Sequence, residues 1–289
     1  MGMNKELSIG FIGAGRLAGV LAPVLFKSGY GVSSIASRSR DSASVLSKKI
    51  PGSHVSAVED TCADLIFITT TDSAITDAAL NVHSDNAKYV VHCSGASSLE
   101  KLAIVKEKGL MVGSWHPYQT FNKSTALEGV TFGIEAESPL KEILYEMTLR
   151  VNGIPLEIPS EMRALYHASS VMSCGYLATL FHSAWQTWIS AGLSKERGLD
   201  AVLKIMRSTL DAIEEHGFPD AVTGPIVRGD KETVNAQLGS IRKYQPSLVG
   251  FYEQISLLSI KMAQDYGIAG VEQDWADVFA TNLRIEKCD

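Results

Sequence analysis

The sequence predicts an α/β domain, built on a mostly parallel sheet with helices on its faces, followed by an all-α domain. In the first half, short apolar runs alternate with helical stretches, which is typical of a parallel sheet covered by helices. From residue 161 onwards strand-like alternation disappears and apolar residues recur at helical spacing. We therefore predict a sheet domain over residues 1–159 and a helical domain over 160–289, since a chain of 289 residues is long enough for two domains.

The individual elements follow from periodicity and turn residues. The predicted strands cover residues 7–12, 32–37, 54–57, 65–69, 89–92, 111–114, 130–134 and 154–158. Helices are predicted over residues 16–28, 41–50, 164–190, 194–215, 231–243, 247–266 and 271–286. The helix over 164–190 is apolar on nearly every side, so we expect it to be buried in a domain core or a subunit interface.

Charge and cysteine content restrict the partners. The net charge is −6 and the pI is about 5.7, so neither a nucleic acid nor a membrane surface is expected as a partner. Four cysteines lie far apart without metal-ligand spacing, which favours a reduced, cytoplasmic protein with no metal site. The first residues lack the apolar stretch of a signal peptide, and no apolar run approaches the roughly 20 residues of a membrane span.

A glycine turn follows the first predicted strand and opens the first helix. Gly13 permits the tight turn, Gly15 lets a phosphate approach the backbone, and Ala18 allows the helix to pack closely on the strand. This is the dinucleotide-binding fingerprint of a Rossmann domain, in which the N–H groups of the helix start bind the pyrophosphate. A merely structural glycine turn is the alternative. The residues expected to contact the cofactor here are Gly13, Ala14, Gly15, Arg16 and Leu17.

The end of the second strand indicates which dinucleotide binds. NAD enzymes usually place an acidic residue there for the ribose hydroxyls, but this chain has Ser37, Arg38 and Ser39. An arginine with neighbouring hydroxyls suits a 2′-phosphate, so NADP(H) is the predicted cofactor, unless Arg38 is only a solvated surface charge. Thr70, Thr71 and Ser94 follow two further strands at the edge where such sheets bind ligands, and they complete the predicted cofactor contacts.

Two histidines are the candidates for acid–base chemistry. Reduction of a carbonyl or imine by hydride needs a proton donor near the developing anion, and histidine titrates in a suitable range. His116 lies in a segment rich in polar and aromatic residues. His167 lies beside a polar stripe on the apolar helix, formed by Tyr166, Ser169, Ser170 and Ser173. Each histidine could instead be hydrogen-bonded within a core.

Two further residues complete the predicted catalytic set. Ser94 belongs to the segment from His92 to Gly95, and Arg228 could hold a substrate carboxylate or a cofactor phosphate. Asp230 is expected to be the N-cap of the helix that begins at Lys231.

At these motifs the chain resembles proteins in which a Rossmann-like domain precedes a helical domain of the DUF2520 type, a group of NADP oxidoreductases. The segments that carry the resemblance are residues 10–19, 92–95, 116–121, 166–168 and 223–230, which together span most of the chain. The resemblance implies a helical domain like that of 6-phosphogluconate dehydrogenase relatives, NADP(H) binding and a homodimer built on the helical domain. One departure is Gly175, where the family pattern has an asparagine.

More distantly, the opening resembles pyrroline-5-carboxylate reductases, and His116-Pro117 resembles a segment of prephenate dehydrogenases whose histidine acts on substrate. We therefore expect an NADP(H)-dependent oxidoreductase that reduces a small carboxylated 2-oxo acid. Ketopantoate is the most specific substrate that the resemblance suggests. An imine reductase of the pyrroline-5-carboxylate type and a non-catalytic NADP(H) sensor stay as alternatives. A deazaflavin partner, as in F420-linked relatives, is a further alternative. It would need a wide open site for a second large planar cofactor.

Overall fold

The computed structural model describes residues 7–122, 125–218, 221, 223–268, 275 and 277–279. Its contacts divide the chain into two units, Met1–Cys174 and Gly175–Asp289. The predicted domain boundary after residue 159 stays a prediction. The first unit extends further because the helix that follows residue 162 is bonded to the sheet through Arg163 and Tyr166. No described helix is both long enough and apolar enough to cross a membrane.

Within the described residues, eight strands form one sheet in the order β3-β2-β1-β4-β5-β6-β7-β8. All neighbours are parallel except β6 and β7, which run antiparallel, so the prediction of a mostly parallel sheet is confirmed. The strands are β1 Ser8–Ile12, β2 Gly31–Ala36, β3 His54–Ser56, β4 Leu65–Ile68, β5 Tyr89–His92, β6 Met111–Pro117, β7 Thr131–Ala136 and β8 Ile154–Glu157.

Helices pack on the sheet, and buried clusters fill both of its faces. The helices of this unit are α1 Arg16–Lys27, α2 Arg40–Ser47, α3 Ile75–Leu80, α4 Ala103–Glu107, α5 Leu140–Arg150 and α6 Arg163–Val171. One cluster contains Phe11, Phe67, Trp115 and Phe132, whose rings follow one another across the sheet at centroid distances of 5.5, 5.4 and 4.4 Å. The other contains alternate strand residues such as Ile12, as side chains that point to opposite faces require.

Strand β6 is longer than the sequence predicted. The sequence prediction ended it at Ser114. In the structure β7 supplies an antiparallel partner as far as Pro117, and His116 lies opposite Gly133. Trp115 is fully buried and donates its indole N–H to Thr148 at 2.7 Å. His116 is therefore a strand residue with a fixed backbone rather than part of a loop.

Where the structure describes it, the second half of the chain is helical, as predicted. After α6, residues Met172–Tyr176 form a π-helical turn, and the further described helices are α7 Leu177–Ser190, α8 Lys195–His216, α9 Lys231–Tyr244 and α10 Val249–Asp265. Val234, Leu238 and Ile260 belong to a small core in the second unit. The predicted burial of the apolar helix is not found within this chain, because α7 contains no buried residue. The helix predicted over 271–286 lies almost entirely outside the described residues.

Candidate active site

The turn between β1 and α1 has the geometry that its glycines predicted. Gly13 has a φ of 117°, and a Cβ atom there would lie 2.7 Å from both the carbonyl carbon and the oxygen of Thr69. Glycine is therefore required at this position. Gly15 is the N-cap of α1, and no side chain caps the free N–H groups of that helix. These donors are available to an anion.

A cleft of about 360 Å³ opens beside this turn. Seven of the predicted cofactor contacts line it, namely Gly13, Ala14, Gly15, Ser37, Arg38, Thr70 and Thr71. Arg16 and Leu17 form the first turn of α1 and are not part of the lining. Ser39 is also outside it and caps α2, since its hydroxyl accepts a hydrogen bond from the Ser42 N–H at 3.3 Å. Asp72 opens a short 3₁₀ turn that no side chain caps.

The two predicted histidines meet above Gly95, just beyond the end of β5. A Cβ atom on Gly95 would lie 2.7 Å from Nε2 of His116 and 2.6 Å from Cδ2 of His167. The centroids of the two rings are 5.9 Å apart. A side chain at residue 95 would therefore occupy the place where the imidazoles converge. Residues far apart in sequence come together here because β6 delivers His116 and α6 delivers His167.

Tyr166 completes this cluster. Its phenol oxygen lies 2.9 Å from Nδ1 of His116, and the two rings meet edge to face at 88°. Gly133 leaves space for the phenol, since a Cβ atom there would be 2.7 Å from the phenol oxygen. Sequence reasoning placed Tyr166 only in the polar stripe of the helix. Its contact with His116 depends on the strand register and could not be read from the chain.

Burial and neighbouring charge make His116 a neutral imidazole near pH 7. Burial is the main cause that lowers its pKa to about 4, with further contributions from His167 and Arg163. Burial also raises the pKa of Tyr166 to about 12, so its phenol stays protonated. Beneath them His92 is fully buried, and neither ring nitrogen has a hydrogen-bond partner of acceptable geometry. Burial, followed by Arg163, lowers the pKa of His92 to about 3.

A buried ion pair anchors the start of α6 to the sheet. Arg163 is 2% exposed, and its Nη2 lies 2.6 Å from Oε2 of Glu135 on β7. Its Nη1 donates to Oγ of Ser114 at 3.0 Å and to the carbonyl of Ser94 at 3.3 Å. Sequence reasoning missed this arginine. The available signals were an isolated arginine at the start of an apolar helix and a glutamate in an otherwise apolar strand.

The polar stripe on α6 also has partners within the first unit. The Tyr118 hydroxyl donates to Oγ of Ser169 at 3.1 Å and lies 3.2 Å from Oγ of Ser173. Ser170 donates to the carbonyl of His167 at 2.8 Å, one helical turn earlier. The stripe therefore faces the end of β6, which explains why polar residues interrupt an apolar helix.

The remaining predicted residues lie in two places. Oγ of Ser94 accepts hydrogen bonds from the N–H groups of Ser97 at 3.0 Å and Ala96 at 3.3 Å, so this side chain shapes the turn that contains Gly95. Arg228 is exposed in the turn before α9, in the second unit, and its role stays a prediction. Asp230 caps α9 as predicted, accepting a hydrogen bond from the Thr233 N–H at 3.0 Å.

Residues 3–117 match the model of the Rossmann-like domain, and residues 130–258 match the domain of unknown function DUF2520. The chain joins a Rossmann-like domain to a DUF2520 domain. The family resemblance noted from the sequence is thereby confirmed. No curated protein matches the chain.

Solved structures share this fold. A protein from Bacteroides fragilis, described as a candidate NADP oxidoreductase, is 24% identical with a TM-score of 0.70, covering 87% of this chain and 96% of that one. A protein from Thermotoga maritima is 23% identical with a TM-score of 0.73, covering 90% and 99%. Pyrroline carboxylate reductase from Plasmodium falciparum, solved with NADP bound, is 15% identical with a TM-score of 0.60, covering 94% and 100%. At these identities the likeness establishes the fold.

Proposed function

We propose that this protein is an NADP(H)-dependent reductase of small carboxylated substrates. The observation that carries the proposal is the convergence of His116 and His167 above Gly95. Gly95 follows β5, and the glycine turn at Gly13 follows β1, so both lie at the carboxyl edge of the same parallel sheet. Open α/β sheets bind dinucleotides at that edge.

The residues present fit NADP(H). The uncapped N-terminus of α1 and the space above Gly15 suit a pyrophosphate, and Arg38 lines the cleft at the end of β2, where a 2′-phosphate needs a cation. When bound, the cofactor supplies the hydride. The protein's task is then to orient the substrate and to deliver a proton to the atom that becomes electron-rich.

We assign the two histidines different parts in delivering the proton. His116 is uncharged near neutral pH because burial lowers its pKa, so it acts as a hydrogen-bond donor to the substrate oxygen or nitrogen. His167, which is partly exposed on the other side of the same space, serves as the proton donor. Replacing His167 with Gln is expected to lower kcat by on the order of 10²-fold or more, in line with the usual contribution of a general acid.

The proposed substrate class is a 2-oxo acid, with ketopantoate as the first compound to test. A second candidate is a cyclic imine, favoured by the structural similarity to a pyrroline carboxylate reductase. Parallel assays that follow NADPH oxidation with ketopantoate, other 2-oxo acids and pyrroline-5-carboxylate separate the two. Turnover of none of them would favour the non-catalytic sensor.

Cofactor binding is tested first, by calorimetric titration with NADPH and NADH. We expect a clear preference for NADPH that Arg38→Ala abolishes, with NADPH affinity falling by roughly tenfold to a hundredfold, the range of one or two charge-assisted hydrogen bonds. Arg40→Ala is the matched control, because Arg40 carries the same charge two residues later and does not line the cleft. Absence of binding by either dinucleotide would contradict the proposal.

We further propose a homodimer formed through the helical unit. The support is that α7 and α8 leave large apolar side chains uncovered, including Leu180, which is 37% exposed, and Ile205, which is 65% exposed. Light scattering at micromolar concentration is expected to give twice the chain mass. Leu180→Glu should shift the protein to monomer. A wild-type monomer would contradict this assembly.

A further inference from the structure

The hydroxyl of Tyr166 has two acceptors on the same residue. Nδ1 of His116 lies at 2.9 Å, whereas the backbone oxygen of His116 lies at 3.5 Å. Hydroxyl donors usually lie 2.5–3.0 Å from an oxygen acceptor and approach a nitrogen at similar distances, so the ring nitrogen is the better partner. Because the phenol pKa is raised, the hydroxyl keeps its proton and can donate it to this hydrogen bond.

The surroundings hold the tyrosine in this position. Its helix is fixed three residues earlier by the buried pair of Arg163 and Glu135. Its phenol occupies the space that Gly133 leaves above β7, directly opposite His116 in the antiparallel register. The position of the Tyr166 phenol is therefore fixed by its anchored helix, by the space at Gly133 and by the edge-to-face contact with His116. All three favour the hydrogen bond between the phenol and Nδ1.

We propose that Tyr166 is a positioning residue that fixes His116 as its Nε2–H tautomer. If Nδ1 accepts the phenol proton, a neutral imidazole must carry its own proton on Nε2. That nitrogen faces the space above Gly95, where the ring of His167 also converges. The catalytic meaning of this arrangement rests on the proposed function, whereas the tautomer itself can be observed without any substrate.

As the Nε2–H tautomer, a neutral His116 can donate a hydrogen bond to the substrate during reduction. The charged or titratable groups that face it are Tyr166, His167 and Arg163 from α6 and His92 from β5, and Glu135 on β7 pairs with Arg163. None of them is an anion placed to stabilise an imidazolium at His116. Donation of the Nε2–H as a hydrogen bond is consistent with this environment, and the tyrosine makes that donor permanent.

The tautomer is measured by ring ¹⁵N–¹H correlation spectra of the full chain labelled at histidine, recorded at pH 7. His116→Gln identifies the signals of residue 116. We expect a protonated Nε2 and an unprotonated Nδ1 in the wild type. In Tyr166→Phe the ring of residue 166 remains but the hydrogen bond is lost, so we expect the Nδ1–H tautomer to become populated.

Tyr118→Phe is the matched control. It removes a neighbouring phenol that bonds Ser169 and Ser173 but does not contact the histidine, so the tautomer should stay as in the wild type. Gly133→Ala is a second route to the same effect, because the added Cβ displaces the phenol. Nδ1 protonation in the wild type, or an unchanged pattern in both Tyr166→Phe and Gly133→Ala, would overturn the proposal.

An activity measurement then tests the catalytic consequence. With a substrate that the wild type turns over, Tyr166→Phe should lower kcat by at least about tenfold and leave KM nearly unchanged, since the donor acts in the transition state. An equal kcat in the variant would remove the catalytic role. If no substrate is found, the proposed function fails while the ring spectra still decide the tautomer.

Discussion

Acidification from pH 7 to pH 5 is expected to destabilise the sheet unit by about 3–4 kcal/mol. The cause is that the fully buried His92 and the partly buried His116 are neutral rings in the folded protein, with pKa values lowered to about 3 and about 4. In the unfolded chain both return to about 6.5. Between the folded and unfolded pKa values the unfolded state binds more protons, so the free energy of unfolding decreases as the pH falls below about 6.5.

The magnitude follows from the distance between pH 5 and the unfolded pKa. Each pKa unit corresponds to about 1.36 kcal/mol, so 1.5 units give about 2 kcal/mol for each histidine. The combined loss of stability is expected to be slightly below the sum of these two contributions, because His116 is partly exposed and solvent screens its charge. Asp64 does not disturb this window. Hydrogen bonds from Lys88 and Ser8 lower its pKa to about 2, so its contribution is lost only below about pH 4.

The assay is hydrogen exchange of peptides from β5 and β6 under increasing urea at pH 7, 6 and 5, corrected for the intrinsic exchange rate. These peptides report on the unit that contains both rings. His92→Phe should remove about half of the acid sensitivity, while His216→Gln, at an exposed position of the second unit, should leave it unchanged. A loss of less than about 1 kcal/mol in the wild type, or an undiminished slope in His92→Phe, would refute the reasoning.

Two other predictions concern single positions of the sheet unit. Gly13→Ala forces a side chain into a positive φ and onto Thr69, so it should destabilise the chain by about 2 kcal/mol or more and abolish dinucleotide binding, as thermal unfolding and calorimetric titration would reveal. Wild-type affinity in this variant would disprove the glycine requirement. Arg163→Met leaves Glu135, whose side chain is only 14% exposed, without its partner and should cost about 3 kcal/mol in urea unfolding, the lower end of the range for a buried pair. Lys106→Met, which removes a surface pair, should be indistinguishable from wild type, and equal effects of the two substitutions would contradict the argument.

The strands could be predicted because each carries its own signal. Strand β5 was predicted with the bounds that the structure has, since Tyr89, Val90 and Val91 form a short apolar run that His92 joins to a polar turn. The extent of β6 could not be predicted in this way. Whether Trp115, His116 and Pro117 continue the strand depends on an antiparallel partner that begins 14 residues later, at Thr131. Periodicity within one segment contains no information about that pairing.

The apolar helix shows a second limit. Its composition predicted burial, yet α7 is not buried within the chain. Hydrophobicity indicates that a surface must be covered but does not say whether the same chain covers it. The proposed dimer would cover this helix at an interface between two copies of the chain, so the argument that an apolar surface must be covered still holds.

In the candidate site, too, features local to one segment could be predicted and contacts between distant segments could not. The glycine turn and His116 were found because the chemistry of each is local to a short segment. The contacts of His116 with Tyr166 and of Arg163 with Glu135 were not found, because they join residues 50 and 28 positions apart through the sheet register. Polar residues in apolar surroundings indicated that partners were needed, but the partners follow only from the fold.

The least predictable part of the site is the space left by its glycines. In the segment from His92 to Gly95, Ser94 was predicted as a site residue because its side chain carries a functional group. In the structure Ser94 shapes the turn, whereas Gly95 leaves room for two imidazoles. Gly133 does the same for the phenol of Tyr166. Unlike the glycines of the turn after β1, Gly95 and Gly133 belong to no recognised glycine motif, so their role becomes visible only when the residues that fill the space beside them are known. The cluster of His116, His167 and Tyr166 depends as much on the space left at these two glycines as on the three rings that occupy it.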